Sequence, residues 1–425
     1  MTDDTAHTGS YYADTRDRLS FPSIDGDTRA DVAVVGGGFT GVSAALALAE
    51  RGVDVVLLEA RQIGWGASGR NGGQLIHGFV DADKIERRSG AEAGDIAWRM
   101  RFESRDLVIE RIERYGIHCD LRFGYIELAM NARDCRTLEA VHETYRRRGE
   151  AQRLEFIDAD RIAEFVASPR YVGGLYNATD GHLHPLNLCL GEARAAQRLG
   201  ARIFERSRAT RVIHGPSPAV ETRTGRVDAR HVVIAGNAYL GGTVPALRGL
   251  VIPAGSYIVA TEALEPARAA ALLPRDCACV DLRVGLDYFR LTPERRLLFG
   301  GLCNYSGRRP ASIARALRPR LTRVFPQLAG VPFDYEWGGD IAISINRIPQ
   351  LGAIDGSTWF AQGYSGHGLA PAHLAGEVLA EAICGERRRF DVFAALGHWR
   401  LPGGRWFANP ALALGMMVLR LRDRI

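Results

Sequence analysis

Lysine is nearly absent: Lys84 is the only one in 425 residues, and arginine carries the rest of the positive charge. The 54 basic residues stand against 49 acidic ones, a formal charge of +5. So one-sided a use of arginine reads as compositional bias, not as a nucleic-acid surface. The runs 146–148 and 387–389 are short, far apart and free of interleaved aromatics, as solvated helix ends are. Cysteine is sparse and odd in number, at seven, with no CxxC pair. Cys277 and Cys279 lie too close together for zinc-knuckle spacing, and no histidine cluster accompanies them, so no metal is expected. Free thiols of a reducing compartment are the expectation. No stretch approaches the roughly 18 apolar residues of a membrane span. The longest candidate, 411–419, runs into Arg420. The first thirty residues are polar and acidic, without the apolar core of a signal peptide, and a cytoplasmic location is expected. Repeats, low-complexity linkers and any three-residue glycine period are also missing, despite 48 glycines.

What is present is patterned. Residues 31–35, DVAVV, form a short apolar run rich in β-branched side chains, a buried strand. The turn GGGFTG follows at 36–41, then a helix over 42–51 stopped by Gly52, then a strand over 53–58 ending at Glu59. Strand, glycine turn, helix, strand and acid make a complete βαβ unit. Residues 80–170 are charged with helical spacing at 96–115 and 135–148; a further helix is read at 185–199, and strands at 202–212 and 227–235. From 250 to 337 the chain alternates and turns aromatic (SYIVATEAL, GLDYFRLT, RRLLFGGL, FDYEW), the pattern of antiparallel strands. A short strand at 359–362, a second glycine turn at 363–368 and a helix at 371–384 complete the reading. The length suits two or three domains. The fold class is α/β, a Rossmann-like dinucleotide domain with a second α+β domain on an antiparallel sheet.

The glycines have separate tasks. Gly36 permits the tight turn, Gly38 lets backbone approach a pyrophosphate, and Gly41 lets helix and sheet pack closely. Glu59 is placed to accept hydrogen bonds from ribose hydroxyls and to repel a 2′-phosphate. FAD and NAD share this fingerprint. The loop 64–74, GWGASGRNGGQ, suits a long ligand passing exposed backbone. The second turn, GYSGHG at 363–368, can meet the electron-rich edge of a reduced isoalloxazine with amides and a helix dipole. Two glycine turns suit a cofactor with two ends, and FAD is preferred.

DVAVVGGGFTG, GWGASGRNGGQ and GYSGHG together resemble the D-amino-acid-oxidase-like family of flavin oxidoreductases. More narrowly the chain is similar to the bacterial γ-glutamylputrescine oxidases, through GHLHPLNL (181–188), AGNAYLG (235–241), LDYFRLT (286–292), RLLFGG (296–301) and LPGG (401–404). The resemblance implies a FAD-binding domain from segments 30–79, 180–250 and 345–385. A substrate domain would come from 80–179 and 251–344, with an N-terminal arm (1–29) and a C-terminal extension (386–425). It implies cofactor contacts from Gly36, Gly38, Phe39, Thr40, Gly41, Glu59, Ala60, Arg61, Ala67, Ser68, Arg70, Asn71, Gly72, Gly73 and Gln74. Val212 backbone at the adenine, Gly236, Gly363, Gly366, His367, Gly368 and Leu369 complete that set. The implied reaction is oxidation of a C–N bond: hydride passes to flavin N5, the imine hydrolyses to aldehyde and ammonia, and oxygen takes the electrons.

His367 either lies beside the flavin pyrimidine or stabilises its turn. Arg347, in NRIP, stands where relatives place a substrate-binding arginine or a flavin-linked cysteine; arginine forms no thioether, so FAD is expected to be noncovalent. Whether Arg347 meets substrate or a core carboxylate is open. Sarcosine oxidases of the family carry a lysine for oxygen activation, here matched by Leu298, so the catalytic cation falls to Arg347 or protonated His367. Tyr257, Tyr288 and Trp337 are substrate walls or core packing, and Cys303 is a buried thiol. The partners expected are a small-molecule amine, γ-glutamylputrescine first, and molecular oxygen, with no nucleic acid. The alternatives are another amine, a D-amino acid or an N-methyl amino acid, or a flavin-bearing RNA-modification or partner-binding protein.

Overall fold

A computed structural model describes residues 6–283, 285–305, 307 and 309–400. The LPGG motif and the apolar stretch 411–419 lie outside the described residues. Three sheets organise the chain. Continuous apolar runs in Val32–Val35 and Val55–Leu58 are buried on both faces, as a parallel sheet with covered faces requires. They sit inside a six-stranded sheet ordered Gln350–Ala353, Thr358–Gln362, His231–Ile234, Val32–Val35, Val55–Leu58, Arg202–Phe204. All its pairings are parallel except the outermost, Gln350–Ala353 against Thr358–Gln362.

Helices Phe39–Glu50, Pro185–Arg198 and Leu369–Ile383 pack together, their apolar sides sharing one core with that sheet. The first and last approach backbone to backbone, since a Cβ on Gly376 would stand 2.6 Å from the Thr40 carbonyl oxygen. The Ser43 hydroxyl donates to the His373 carbonyl at 2.6 Å across the same crossing. Behind it Arg111, fully buried, donates to Ser43 at 2.6 Å and to Glu377 at 2.7 Å, and Glu192 lies 2.9 Å from His373. These contacts fix the two glycine turns relative to each other, because each turn leads into one of the crossing helices.

One strand read as continuous is divided. The stretch 202–212 splits into Arg202–Phe204 and Arg211–Ile213, because Arg206 adopts φ +52 and turns the chain out of the parallel sheet. Within 227–235 the strand HVVIA forms as His231–Ile234, and a separate short strand, Arg226–Asp228, precedes it. Arg211–Ile213 and Arg226–Asp228 join Thr28–Arg29 and Ala219–Glu221 in a small four-stranded sheet, whose apolar side chains cover the sheet face opposite the helices.

The third sheet runs Phe333–Ser344, Val251–Thr261, Leu297–Asn304, Tyr288–Leu291, Ala278–Asp281, Arg122–Ala129, Gly173–His182, Gln74–Leu75, with Glu155–Ile157 beside Gly173–His182. It is antiparallel save for one parallel pair, Ala278–Asp281 against Arg122–Ala129. Alternation sorts its faces. Ile126, Leu128, Cys279, Phe289, Phe299 and Val259 point outward, into a core closed by helices Pro266–Leu272 and Ile313–Val324. The intervening positions face the dinucleotide fold.

Candidate active site

The first glycine turn has the backbone geometry read for Gly36 and Gly41. Gly36 has φ +111, and a Cβ there would stand 2.8 Å from the Ala235 carbonyl oxygen. A Cβ on Gly41 would lie 1.9 Å from the Gly36 oxygen, so only glycine lets the helix start this close to the strand end. Gly38 is the N-cap of helix Phe39–Glu50 and brings no side chain to cap it; the Ser68 hydroxyl accepts from Phe39 N at 2.9 Å instead. The 64–74 loop is thus fastened onto the helix's positive end. Asn71 makes the loop rigid: its amide donates to the carbonyls of Ala67 at 3.0 Å and Ser68 at 2.8 Å, and accepts from Gly73 N at 2.8 Å.

Glu59 ends its strand with both carboxylate oxygens engaged, accepting from Gly37 N at 2.7 Å and Arg61 N at 2.8 Å. Burial raises its pKa, and those two amides oppose the rise. It therefore braces the glycine turn.

The second turn lies opposite. Gly363, at φ +80, donates its N–H to Asn237 Oδ1 at 3.0 Å, and Ser365 and Gly366 also hold positive φ. Tyr364 shares a 2.6 Å hydrogen bond with Thr40, joining the two turns directly. Both turns open onto one cavity of about 560 Å³, within the usual range for a small-molecule site. Its walls include Gly38, Phe39, Thr40, Ala67, Ser68, Arg70, Asn71, Gly72, Gln74, Gly366, His367, Gly368 and Leu369. Gly36, Gly41, Glu59, Ala60, Arg61, Gly73, Val212, Gly236 and Gly363 are not on those walls. Of these, Gly36 and Gly236 meet at the strand ends, and Glu59 bonds Arg61 beside them. Val212 is buried in the small sheet, paired with Val220.

The substrate expectations divide. Tyr288 is on the cavity wall, over Gly300, where a Cβ would meet its ring at 2.0 Å. Tyr257 is not: strand alternation turns Ser256 to the cavity and sends Tyr257 into the outward core. Trp337 lies on the inward side but is covered, its ring 5.5 Å from Tyr12 and its indole donating to the Arg70 carbonyl at 3.1 Å. Both are packing residues. Arg347 reaches the wall from a turn at φ +62 and donates to the Tyr305 hydroxyl at 3.2 Å, not to a core carboxylate. Cys303 also lines the cavity, so it is not the fully buried thiol expected. Leu298 is buried in the core.

His367 faces the open cavity, so its surface is accessible there although protein surrounds it deeply. Those surroundings lower its pKa to about 4, with desolvation the leading cause, reinforced by His77 and Arg101 and opposed by Asp180. The imidazole is neutral at neutral pH, and a protonated His367 is withdrawn as the cation for oxygen. His182 and His184 are engaged in protein hydrogen bonds. His184 caps helix Pro185–Arg198, and His182 bonds the Asp276 carbonyl; among the described residues no metal-binding group of histidine, cysteine and carboxylates exists.

Three residues were missed. Arg290, buried, donates to the carbonyls of Gly72 at 2.8 Å and Leu183 at 2.9 Å and to Tyr12 at 3.0 Å, clamping the 64–74 loop to the large sheet. Glu127 and Asp281 put carboxylates on the cavity wall. A charged residue at an inward position of an alternating strand was the available signal for Arg290 in LDYFRLT and Glu127 in GYIELA; Asp281 ends its strand on the other phase and gave no such signal.

FAD fits what is here. Arg70 stacks over Trp65 at 4.0 Å and spends two nitrogens on the carbonyls of Trp65 and Gly338, while its Nη2 is buried without a partner beside the cavity. A buried guanidinium nitrogen left open is poised for a polar ligand group. The Gly38 backbone and Ser68 line the same wall, where a Cβ on Gly38 would stand 2.9 Å from the Ser68 hydroxyl.

Residues 31–382 match the model of the DAO family, FAD dependent oxidoreductases, and the chain belongs to that family. It is an FAD-dependent flavoprotein oxidoreductase. It is 44% identical over 424 residues to the gamma-glutamylputrescine oxidoreductase of Escherichia coli, covering 99% of each chain. It is 37% identical over 426 residues to the probable oxidoreductase OrdL of Haemophilus influenzae, covering 98% of each. The solved glycine oxidase of Geobacillus kaustophilus shares the fold, with a TM-score of 0.73 over 87% of this chain and 99% of that one at 24% identity.

Proposed function

We propose that this chain oxidises the terminal primary amine of γ-glutamylputrescine, with noncovalent FAD and with oxygen as acceptor. Overall, R–CH₂–NH₂, O₂ and water give R–CHO, NH₃ and H₂O₂. The observation that carries the reading is the cavity joining both glycine turns to the inward face of the large sheet, in a chain similar end to end to an enzyme named for that substrate. Bound FAD supplies the two-electron acceptor for the C–N bond. The protein's part is to hold both cofactor ends, orient the amine and limit water. Segments 30–79, 180–250 and 345–385 form the cofactor domain in this reading; every strand of the six-stranded sheet falls within them. Segments 80–179 and 251–344 carry the substrate, Gln74–Leu75 being the cofactor segment's loan to the large sheet. Residues 1–29 form an arm, and 386–425 an extension. Of Tyr257, Tyr288, Trp337 and Arg347, Tyr288 and Arg347 face the substrate. Arg347 also serves as the fixed cation for oxygen, and His367 contributes as a neutral hydrogen-bonding group at the second turn. All seven cysteines are free thiols, which supports a reducing compartment, the cytoplasm. Among the described residues no helix is long and apolar enough to cross a membrane. Product analysis tests the reading: aldehyde, ammonia and peroxide should form in equal amounts. Aldehyde without peroxide would replace oxygen with another acceptor, and no aldehyde would end the proposal.

A further inference from the structure

Of the two carboxylates on the cavity wall, one is already paired with a cation. Asp281 accepts from Arg283 Nε at 2.9 Å and from Asp287 N at 2.9 Å. Arg283 also pairs with Asp287, and Arg320 donates to Asp287 at 2.6 Å. Arg70 and Arg347 donate to carbonyls and to Tyr305. Glu127 differs. Its hydrogen-bond partner among the described residues is the Tyr125 hydroxyl, at a long 3.4 Å, and no described cationic side chain lies within ion-pair distance. It stands on strand Arg122–Ala129 beside Val280, in register, and both line the cavity.

The nearest charges stop short of it. His77 is held by Asp180 at 2.6 Å and by Tyr145, and Arg101 donates to the Tyr145 hydroxyl at 2.9 Å. Burial raises the Glu127 pKa while His77 and Arg101, at longer range, oppose the rise. A half-buried carboxylate without a counter-charge is costly unless a ligand supplies one. The ligand that does so is a cation with N–H donors.

Resting on the amine-oxidase reading, we propose that Glu127 is the specificity-determining residue that receives the substrate's terminal ammonium group at the sheet wall of the cavity. The carboxylate accepts charge-assisted hydrogen bonds from the ammonium, Tyr125 holds its orientation, and the apolar neighbours Val280 and Ile76 accept the adjoining methylenes. A substrate lacking the ammonium leaves the carboxylate uncompensated and is rejected, as sites built around a buried polar group reject the analogue without its partner.

The test uses full-length FAD-loaded enzyme and the variant Glu127→Gln, which keeps size and removes charge. Under anaerobic mixing with γ-glutamylputrescine, the concentration giving half-maximal flavin reduction should rise on the order of 10- to 100-fold, with flavin content and spectrum unchanged. The analogue γ-glutamyl-n-butylamide, which keeps the glutamyl end and lacks only the terminal ammonium, read as a competitive inhibitor, should bind the variant at least as tightly as wild type. Glu127→Asp should recover part of the loss. Equal half-saturation in Glu127→Gln overturns the inference while leaving amine oxidation intact. A similar loss for the analogue without the terminal ammonium overturns it too, by showing general damage to the wall. A wild-type enzyme that no primary amine reduces overturns the amine-oxidase reading, and this inference with it.

Discussion

His184 shows how a neutral imidazole can hold this fold together, and how acid should release it. It is the N-cap of helix Pro185–Arg198, where its Nδ1 accepts from Asn187 N at 3.0 Å. Its Nε2 meets Thr15 Oγ1 at 3.0 Å, and its ring lies 4.9 Å from Tyr12. Protonation would turn the Nδ1 acceptor into a donor facing another donor, at the positive end of a helix. Its pKa is accordingly lowered from 6.5 to about 3, by burial first and Arg290 second. In the unfolded chain the same imidazole titrates near its ordinary value. The stability it contributes is therefore complete above pH 6.5 and is lost as pH falls toward 3. At pH 5 the unfolded state gains about 2 kcal/mol from taking up this proton, from 1.36 kcal/mol per pKa unit over the 1.5 units between 6.5 and 5. His184→Asn retains an N-cap acceptor and removes the titration. Urea unfolding at pH 7.5 and pH 5 should show wild type losing about 2 kcal/mol more than the variant between the two. His182 and the other buried groups act on both proteins alike. Parallel losses, within about 0.5 kcal/mol, would refute a neutral capping role for His184.

Gly41→Ala places a Cβ 1.9 Å from the Gly36 carbonyl oxygen, with backbone on both sides and no flexible end to move. It should cost about 3 kcal/mol or more and purify with depleted FAD, read from the melting temperature and the flavin-to-protein ratio; full flavin loading would contradict the turn geometry. Arg347→Met should slow reoxidation of reduced enzyme by oxygen on the order of tenfold in stopped flow, because the remaining wall group at the second turn, His367, is neutral at working pH. An unchanged rate would remove Arg347 from that role.

The first glycine turn was legible because its main constraints are local: Gly36 is set by its positive φ and Gly41 by the Gly36 carbonyl five residues before it, and strand-turn-helix order shows in hydropathy alone. Tyr257 was not legible as core. Both faces of its sheet are buried, so SYIVAT is apolar on either phase and gives no sign which side holds the cavity. Arg206 broke the strand read at 202–212 through a positive φ that its residue type does not announce. Glu127 and Arg290 acquire their roles from strands and loops distant in the chain, and their charge at alternating positions was the visible trace. The pKa of His367 depends on His77, Arg101 and Asp180, which only the folded chain assembles around it.

Anaerobic mixing of the FAD-loaded enzyme with single compounds tests the central claim most directly, since it separates amine oxidation from every question about the acceptor. Bleaching of the yellow flavin band should be fast and saturable with γ-glutamylputrescine and slow or absent with glycine, sarcosine and D-alanine. Bleaching by those amino acids, with γ-glutamylputrescine inert, would contradict the account and make the cavity an amino-acid site.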